Sequence, residues 1–136
     1  MRLPKLLFLL CCLLSGVAGA DSGLLIENAT VRQPLPGKTV SAGYFTLTNS
    51  TAQPIQIVAA RSRWFGKAEL HQHQMVDGMM KMEAIQHINV AAGATIHLQP
   101  GGLHLMLFRP VQPLELGQHI PLEIVLSSGE TLTTDA

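Results

Sequence analysis

From Leu24 onward, the sequence consists of short segments rich in β-branched or large apolar residues, and turn signals separate them. The segments that we predict as strands are Leu24–Val31, Val40–Thr48, Pro54–Ala60, Glu69–Gln74, Met80–Gln86, Thr95–Gln99, Leu103–Arg109 and Ile120–Ser127. Turn-forming residues such as Asp77-Gly78 and Pro100-Gly-Gly102 lie between them. Short strands at this spacing are typical of a two-sheet antiparallel sandwich or a small barrel. The sequence therefore predicts an all-β chain.

Two stretches fit this pattern less clearly. Residues 58–67 are compatible with a short helical turn or a bulged loop, in which Trp64 and Phe65 serve as anchors. The C-terminal residues 131–135 form a polar tail in this interpretation. Because no repeat, linker or low-complexity tract interrupts the chain, we predict a single domain over residues 21–136.

The first twenty residues have the pattern of a cleaved export signal. Arg2 and Lys5 precede an apolar run at residues 6–14, which is too short to span a bilayer as a stable helix. Ala18-Gly-Ala20 then fits the small-residue pattern of a cleavage site. We predict a signal peptide over residues 1–20 and a mature periplasmic protein that begins at Asp21.

Both cysteines, Cys11 and Cys12, lie within that apolar run. Neither follows a small-residue lipid-attachment pattern, so we expect no lipoprotein, and the mature chain would contain no thiol. Disulfides and thiolate metal sites are then excluded. The chain without residues 1–20 keeps seven basic and nine acidic residues and has no basic cluster, which argues against nucleic acid or an anionic membrane as a partner.

Soft metal-ligand side chains cluster between His71 and Met106. Four of the five methionines that follow Met1 fall between positions 75 and 82, and the fifth, Met106, comes two residues after His104. Thioether sulfur and imidazole nitrogen are neutral, polarizable donors that together select Cu(I) over hard cations. Cu(II) would bind more weakly or in a rearranged site, because thioethers favour the lower oxidation state.

Residues i and i+2 of a strand lie on the same face, so strand geometry groups these donors. Three segments carry such a pair: His71 and His73, Met80 and Met82, and His104 and Met106. Leu103, Leu105 and Leu107 alternate with the last pair and are predicted to fill the core. The preceding Pro-Gly-Gly turn allows close backbone approach, which predicts a position at the edge of the sheet for His104.

Simpler interpretations compete for individual residues. A single methionine in a strand usually fills the core, which is our expectation for Met79. Single histidines such as His87, His97 and His119 are expected at the surface or in hydrogen bonds. The combined set, with its His-x-His, methionine-rich turn and His-x-Met, is much harder to obtain by chance.

The spacing of four of these residues resembles a known motif. Ten residues separate His71 from Met82, twenty-one separate Met82 from His104, and one separates His104 from Met106. This H-x10-M-x21-H-x-M pattern is similar to that of the periplasmic copper chaperone family PCu(A)C. The Glu-Leu-His, Asp-Gly-Met-Met-Lys-Met and Pro-Gly-Gly-x-His-x-Met-Leu segments, the exported N-terminus and the Gly43-Tyr-Phe strand resemble that family as well.

The resemblance implies a cupredoxin-like β-sandwich that holds one Cu(I) near its surface through His71, Met82, His104 and Met106. It also implies copper donor and acceptor proteins as partners, among them the copper-centre subunit of cytochrome c oxidase and Sco-type assembly proteins. We expect a monomer without enzymatic activity that contacts membrane-anchored partners only peripherally. Many members carry a histidine- and methionine-rich C-terminal tail that this sequence lacks, which puts a second tail site in doubt. His73, Met75 and Met80 are possible auxiliary ligands.

Other functional classes remain open at this point. A cupin-like metalloenzyme could also combine His-x-His with a later histidine, but the glutamate expected downstream is missing and Asp77 sits near its place. A copper buffer or resistance protein would need no dedicated acceptor. A scaffold or adhesion domain could use residues 75–82 as an apolar contact patch.

Overall fold

The computed structural model describes residues 23–136, which form ten β-strands. They are β1 (Leu24–Val31), β2 (Val40–Asn49), β3 (Ile55–Arg61), β4 (Phe65–Val76), β5 (Met79–Ile85), β6 (Ile88–Val90), β7 (Thr95–Leu98), β8 (His104–Pro110), β9 (Pro121–Leu126) and β10 (Thr131–Asp135). A helix long and apolar enough to cross a membrane is not found within this part of the chain.

The strands form two open antiparallel sheets. The larger sheet has the order β1-β2-β8-β4-β5, and the smaller one has the order β10-β9-β3-β6. In the larger sheet, β8 pairs with the first half of β2 and β7 pairs with its second half, so β7 and β8 follow one another along the same side of β2. The Pro100-Gly-Gly102 turn joins them and brings the chain into the middle of the sheet at His104.

The core lies between the two sheets and explains the alternation along the central strands. Leu105 and Leu107 of β8 are fully buried, as are Phe45 and Leu47 of β2, and all four belong to one apolar cluster with residues of β3, β6 and β9. Because side chains alternate across a strand, the residues between them project from the outer face of the larger sheet. That face is therefore free to carry polar and metal-binding groups.

The predicted all-β antiparallel sandwich is confirmed, with two strands more than predicted. The three-residue β6 was missed because it is shorter than a typical strand pattern. The presumed tail at residues 131–135 is β10, which pairs with β9 and packs Leu132 against the core. Its threonines have a high β propensity, a signal that the polarity of the segment concealed.

The uncertain stretch at residues 58–67 contains a bulge and a turn. The pairing of β3 with β9 shifts register between Ile57 and Ala59, and a turn at residues 62–64 then leads into β4. Phe65 is buried and Trp64 packs partly against the core, as expected of anchors. The strand β4 is consequently longer than predicted, and its last residues extend beyond the sheet in a hairpin with β5.

We expect Leu105→Ala to destabilise the protein by about 2–5 kcal/mol, because it leaves a cavity at a fully buried position of the central strand. Denaturant unfolding measures the loss. Leu116→Ala is the control, since Leu116 is 86% exposed and its truncation should change the free energy of unfolding by less than about 0.5 kcal/mol. Similar small losses for both variants would contradict the assignment of β8 to the core.

Candidate metal centre

The candidate centre lies on the outer face of the larger sheet, where β8, β4 and β5 are neighbours. The register places His71 directly opposite His104, and Glu69 directly opposite Met106. Two residues further along β4, His73 lies opposite Met82 of β5. Since residues directly opposite one another share a face, backbone pairing alone collects these groups in one patch.

His104 has its two ring nitrogens in contrasting environments. Its Nδ1 lies 3.0 Å from the carbonyl oxygen of Gly102, and its Nε2 lies 3.2 Å from the Sδ of Met82. A carbonyl oxygen only accepts hydrogen bonds, so Nδ1 carries the proton and Nε2 presents its lone pair. That lone pair and a thioether lone pair then face the same small region, which is an arrangement suited to a shared cation.

The imidazole of His104 is only 3% exposed. Burial lowers its pKa, the Gly102 hydrogen bond opposes this shift, and the neighbouring His73 and His71 add to the lowering. The neutral form, which is the form that binds metals, is therefore favoured at this position.

His71 is held in the tautomer opposite to that of His104. Its Nε2 lies 2.8 Å from Oε2 of Glu69, and because a carboxylate only accepts, Nε2–H is the donor. The lone pair is then on Nδ1, which is buried and has no hydrogen-bond partner among residues 23–136. A buried lone pair without a partner is costly, and a bound cation would satisfy it.

Glu69 is the residue of this centre that sequence reasoning missed. Its second carboxylate oxygen, Oε1, lies 2.7 Å from Nζ of Lys67, which in turn lies over the ring of Phe108. Lys67 chiefly, and His71 next, hold the pKa of the Glu69 carboxyl below its ordinary value. A charged carboxylate that accepts from a metal-binding histidine fixes its tautomer and orientation. The Glu-x-His pattern on one strand face was the signal available in the sequence.

A cavity of about 590 Å³ opens beside these groups. It is lined by His73, Met82, His104 and Met106, by the loop between β1 and β2, by the first half of β2, and by Pro100 and Gly101. The ring centroid of His104 lies 5.2 Å from that of His73 and 5.7 Å from that of His71. His73, predicted only as an auxiliary group, therefore lies as near to His104 as His71 does.

The donor set fits a soft monovalent ion. Imidazoles in the neutral form that binds metals, and thioethers, would contribute no charge of their own, and the Glu69 carboxylate is engaged by Lys67 and His71 rather than free to ligate. In residues 23–136, no three histidine, cysteine, aspartate or glutamate side chains converge on one point. The convergent groups here are a mixture of imidazole and thioether.

The remaining predicted residues are distributed as follows. Met75 and Met80 lie opposite each other near the end of the β4–β5 hairpin, outside the cavity wall. His87, His97 and His119 are exposed, as expected, and His97 shares a hydrogen bond with Thr46. Asp77 occupies the hairpin turn.

Two sequence expectations are wrong. Met79 does not fill the core but is 65% exposed, because it lies at the turn end of β5, which is an edge strand of the larger sheet. His104 is not at a sheet edge. It begins β8, a central strand, since the Pro-Gly-Gly turn leads the chain inward from β7.

Known proteins share both sequence and fold with this chain. The family model that matches residues 24–136 is described as "Putative lipoprotein LpqE-like". A "Putative lipoprotein Lxx21020" of Leifsonia xyli subsp. xyli is 33% identical over 110 residues, which are 80% of this chain. The chain spans 65% of that relative's own length, less than two thirds of it.

Two solved structures superimpose well. The solution structure of CuI-DR1885 from Deinococcus radiodurans is 30% identical, with a TM-score of 0.69 over 88% of this chain and 80% of that one. The apo PCuAC domain from PmoF1 is 23% identical, with a TM-score of 0.71 over 84% of this chain and 91% of that one. The second likeness concerns the fold alone, and it confirms the predicted cupredoxin-like sandwich.

The buried imidazole of His104 predicts a pH dependence of stability in the metal-free protein. The unfolded state protonates this histidine near the ordinary pKa of about 6.5, whereas the folded state resists protonation until the pH is lower. The free energy of unfolding should therefore fall as the pH drops below about 6.5, and level off below the lowered folded pKa. Denaturant unfolding between about pH 5 and pH 7.5 measures the slope.

His104→Gln should flatten that slope, because it removes the titrating group. His87→Gln is the matched control at an exposed position and should keep the slope of the wild type. An unchanged slope in His104→Gln would show that the pH dependence has another source.

Proposed function

The chain belongs to the LpqE-like family, its resemblance to the PCu(A)C copper chaperones is confirmed, and from this premise we propose that it is itself a copper chaperone. The proposed cargo is one Cu(I), bound by His71, Met82, His104 and Met106. A relative of 30% identity that spans most of the same fold has been solved as a CuI protein, which supports the proposal.

The single observation that carries this proposal is the approach of His104 Nε2 to Met82 Sδ, 3.2 Å apart, close to a buried ring nitrogen of His71. With the proton of His104 on Nδ1, the lone pair of Nε2 faces the sulfur, and Nδ1 of His71 has no hydrogen-bond partner within residues 23–136. A soft cation would satisfy all three atoms at once. Met106, on the same face as His104 and lining the same cavity, supplies the fourth donor.

The burial of the donors suits transfer rather than permanent storage. His104 is almost fully buried, whereas Met82 is 50% exposed on the edge strand β5. An acceptor can therefore approach from the Met82 side and replace ligands one at a time, while His104 holds the ion. Thioethers need no proton to leave, so this exchange changes no charge on the sulfur ligands.

We place this activity in the periplasm, with the copper centre of cytochrome c oxidase as the acceptor. Export rests on the predicted signal peptide, which lies outside the described residues. The matching family is described as a lipoprotein family, which indicates a second form of the exported protein, in which a lipid would hold the mature chain at the membrane. The lipid-free form remains a prediction, and the acceptor is tested by copper transfer to isolated oxidase domains.

Substitution of the sulfur ligands should change the copper coordination directly. X-ray absorption of the anaerobic Cu(I) protein should report two sulfur and two nitrogen donors. Met82→Leu and Met106→Leu should each remove one sulfur and lower the Cu(I) affinity by at least about tenfold, measured by competition with a chromogenic chelator. Met79→Leu is the control, since Met79 is on the opposite face of β5 from Met82 and should leave both readouts unchanged.

Equal losses in the three methionine variants would contradict the assignment and favour a diffuse methionine cluster. Copper coordinated without any sulfur would contradict the proposed copper chaperone itself. A sulfur count that stays at two in Met106→Leu would exclude Met106 and assign the second sulfur to another methionine.

Glu69→Gln should weaken Cu(I) binding by about 10–100-fold without removing a ligand, because it discharges the group that orients His71. The effect should disappear in a His71→Ala background, since Glu69 acts on copper only through His71. Competition titrations of the two single variants and the double variant measure this coupling. Glu83→Gln, on the exposed edge strand, is the control.

Additive losses from Glu69→Gln and His71→Ala would contradict the positioning role. A larger loss from His73→Ala than from His71→Ala would transfer the ligand assignment to His73, whose ring lies slightly nearer to that of His104.

A further inference from the structure

The end of the β4–β5 hairpin extends beyond the rest of the larger sheet. The pairing of β4 with β8 ends at His71, whereas its pairing with β5 continues to Val76. Within residues 23–136, the segment 72–76 of β4 therefore has a strand partner on one side only. This projecting hairpin carries methionines that the candidate metal centre does not use.

The turn fixes how these methionines face each other. Asp77 and Gly78 both have positive φ, 51° and 75°, which is the conformation of a two-residue type I′ turn. In such a hairpin, hydrogen-bonded and non-hydrogen-bonded pairs alternate from the turn outward, starting with the bonded pair Val76–Met79. Met75 opposite Met80 is then a non-hydrogen-bonded pair, in which cross-strand side chains lie closest.

The same alternation makes His73 opposite Met82 the next close pair on the same face. Same-face pairs succeed one another at about 7 Å along a hairpin, a distance that flexible methionine side chains can bridge. Exposure falls along this series: Met75 is 62% exposed, Met82 is 50% exposed, and His104 is 3% exposed. Soft donors thus run from solvent at the hairpin end to the buried imidazole.

We propose that Met75 and Met80 form a second, exposed Cu(I) site at the end of the β4–β5 hairpin, which exchanges copper with the inner centre through Met82. This inference rests on the proposed function, because it needs an inner centre that takes the same ion. In the exchange, a bond forms from Cu(I) to Met82 Sδ as a bond to Met75 or Met80 breaks. Copper remains monovalent throughout, and no proton moves, since all three sulfurs are neutral.

Two neutral thioethers give the outer site a lower affinity than the inner one, which also has imidazoles. That order suits capture from a donor, since the ion binds first where it is accessible and then moves to the tighter site. An alternative use of the exposed methionines is an apolar contact surface for a partner protein. Such a surface would include Met79, on the other face of the hairpin, as much as Met75 and Met80. The response of Met79 therefore distinguishes a contact surface from a copper site.

A titration with Ag(I), a redox-inert soft cation, tests the site in protein labelled with ¹³C at the methionine methyl groups. The first equivalent should shift the signals of Met82 and Met106. The second equivalent should shift those of Met75 and Met80 and leave Met79 in place. The double variant Met75→Leu/Met80→Leu should lose the second equivalent and bind the first within about twofold of the wild type. Met75, Met79 and Met80 are all exposed, so these substitutions should not impair folding.

Exchange is tested by the rate of anaerobic Cu(I) uptake from a bulky chelator complex. The double variant should load more slowly than the wild type, while the matched control Met79→Leu loads at the wild-type rate. Equal rates in both variants would overturn the exchange. A second equivalent that shifts Met79 as strongly as Met75 would overturn the site.

The response to the first equivalent of Ag(I) distinguishes a failure of the outer site from a failure of the proposed function. If no methionine signal responds to it, the copper chaperone itself is refuted. If Met82 and Met106 respond and Met75 and Met80 never do, the inner centre stands and the outer site alone is refuted.

Discussion

The alternation of side chains along β8 is the constraint on which the rest of this structure depends. Leu105 and Leu107 are fully buried between the sheets, and this burial fixes the register of the strand. His104 and Met106 must then project from the opposite face, opposite His71 and Glu69 of β4. A slip by one residue would bury the imidazole and thioether in the core and expose both leucines. The energy that holds the fold therefore also positions the candidate metal-binding groups.

Sequence patterns predicted the all-β sandwich and the same-face pairs, because both follow from the two-residue period of a strand. They could not reveal which strands are neighbours. The approach of Met82 to His104 depends on the order β8-β4-β5, in which β4 alone separates them, and no local pattern encodes that order. The same limitation led to the wrong expectations for Met79 and for the position of His104. Long-range pairing, rather than local propensity, decided both.

Charge at the candidate centre is confined to one side of the two histidines, His71 and His104. Lys67, Glu69 and His71 form a chain of contacts in which each group fixes the next, while the sulfurs on the other side are neutral. Glu69 was missed in the sequence because only side chains that could ligate a soft metal were considered, and not those that could accept a hydrogen bond from a ligand. The structure separates these roles, since both carboxylate oxygens have partners.

The soft donors of this sheet differ more in their exposure than in their chemical identity. Methionine sulfur occurs both beside His104 and at the hairpin end, so the two places differ mainly in what surrounds the sulfur and in whether an imidazole is near. A buried imidazole would add a stronger donor and exclude water, and so would tighten the proposed copper binding at the centre of the sheet. Edge-strand sulfur stays accessible to other proteins. A copper ion moving between these places would need no change in the fold, because the hairpin that exposes one pair also carries Met82 to the other.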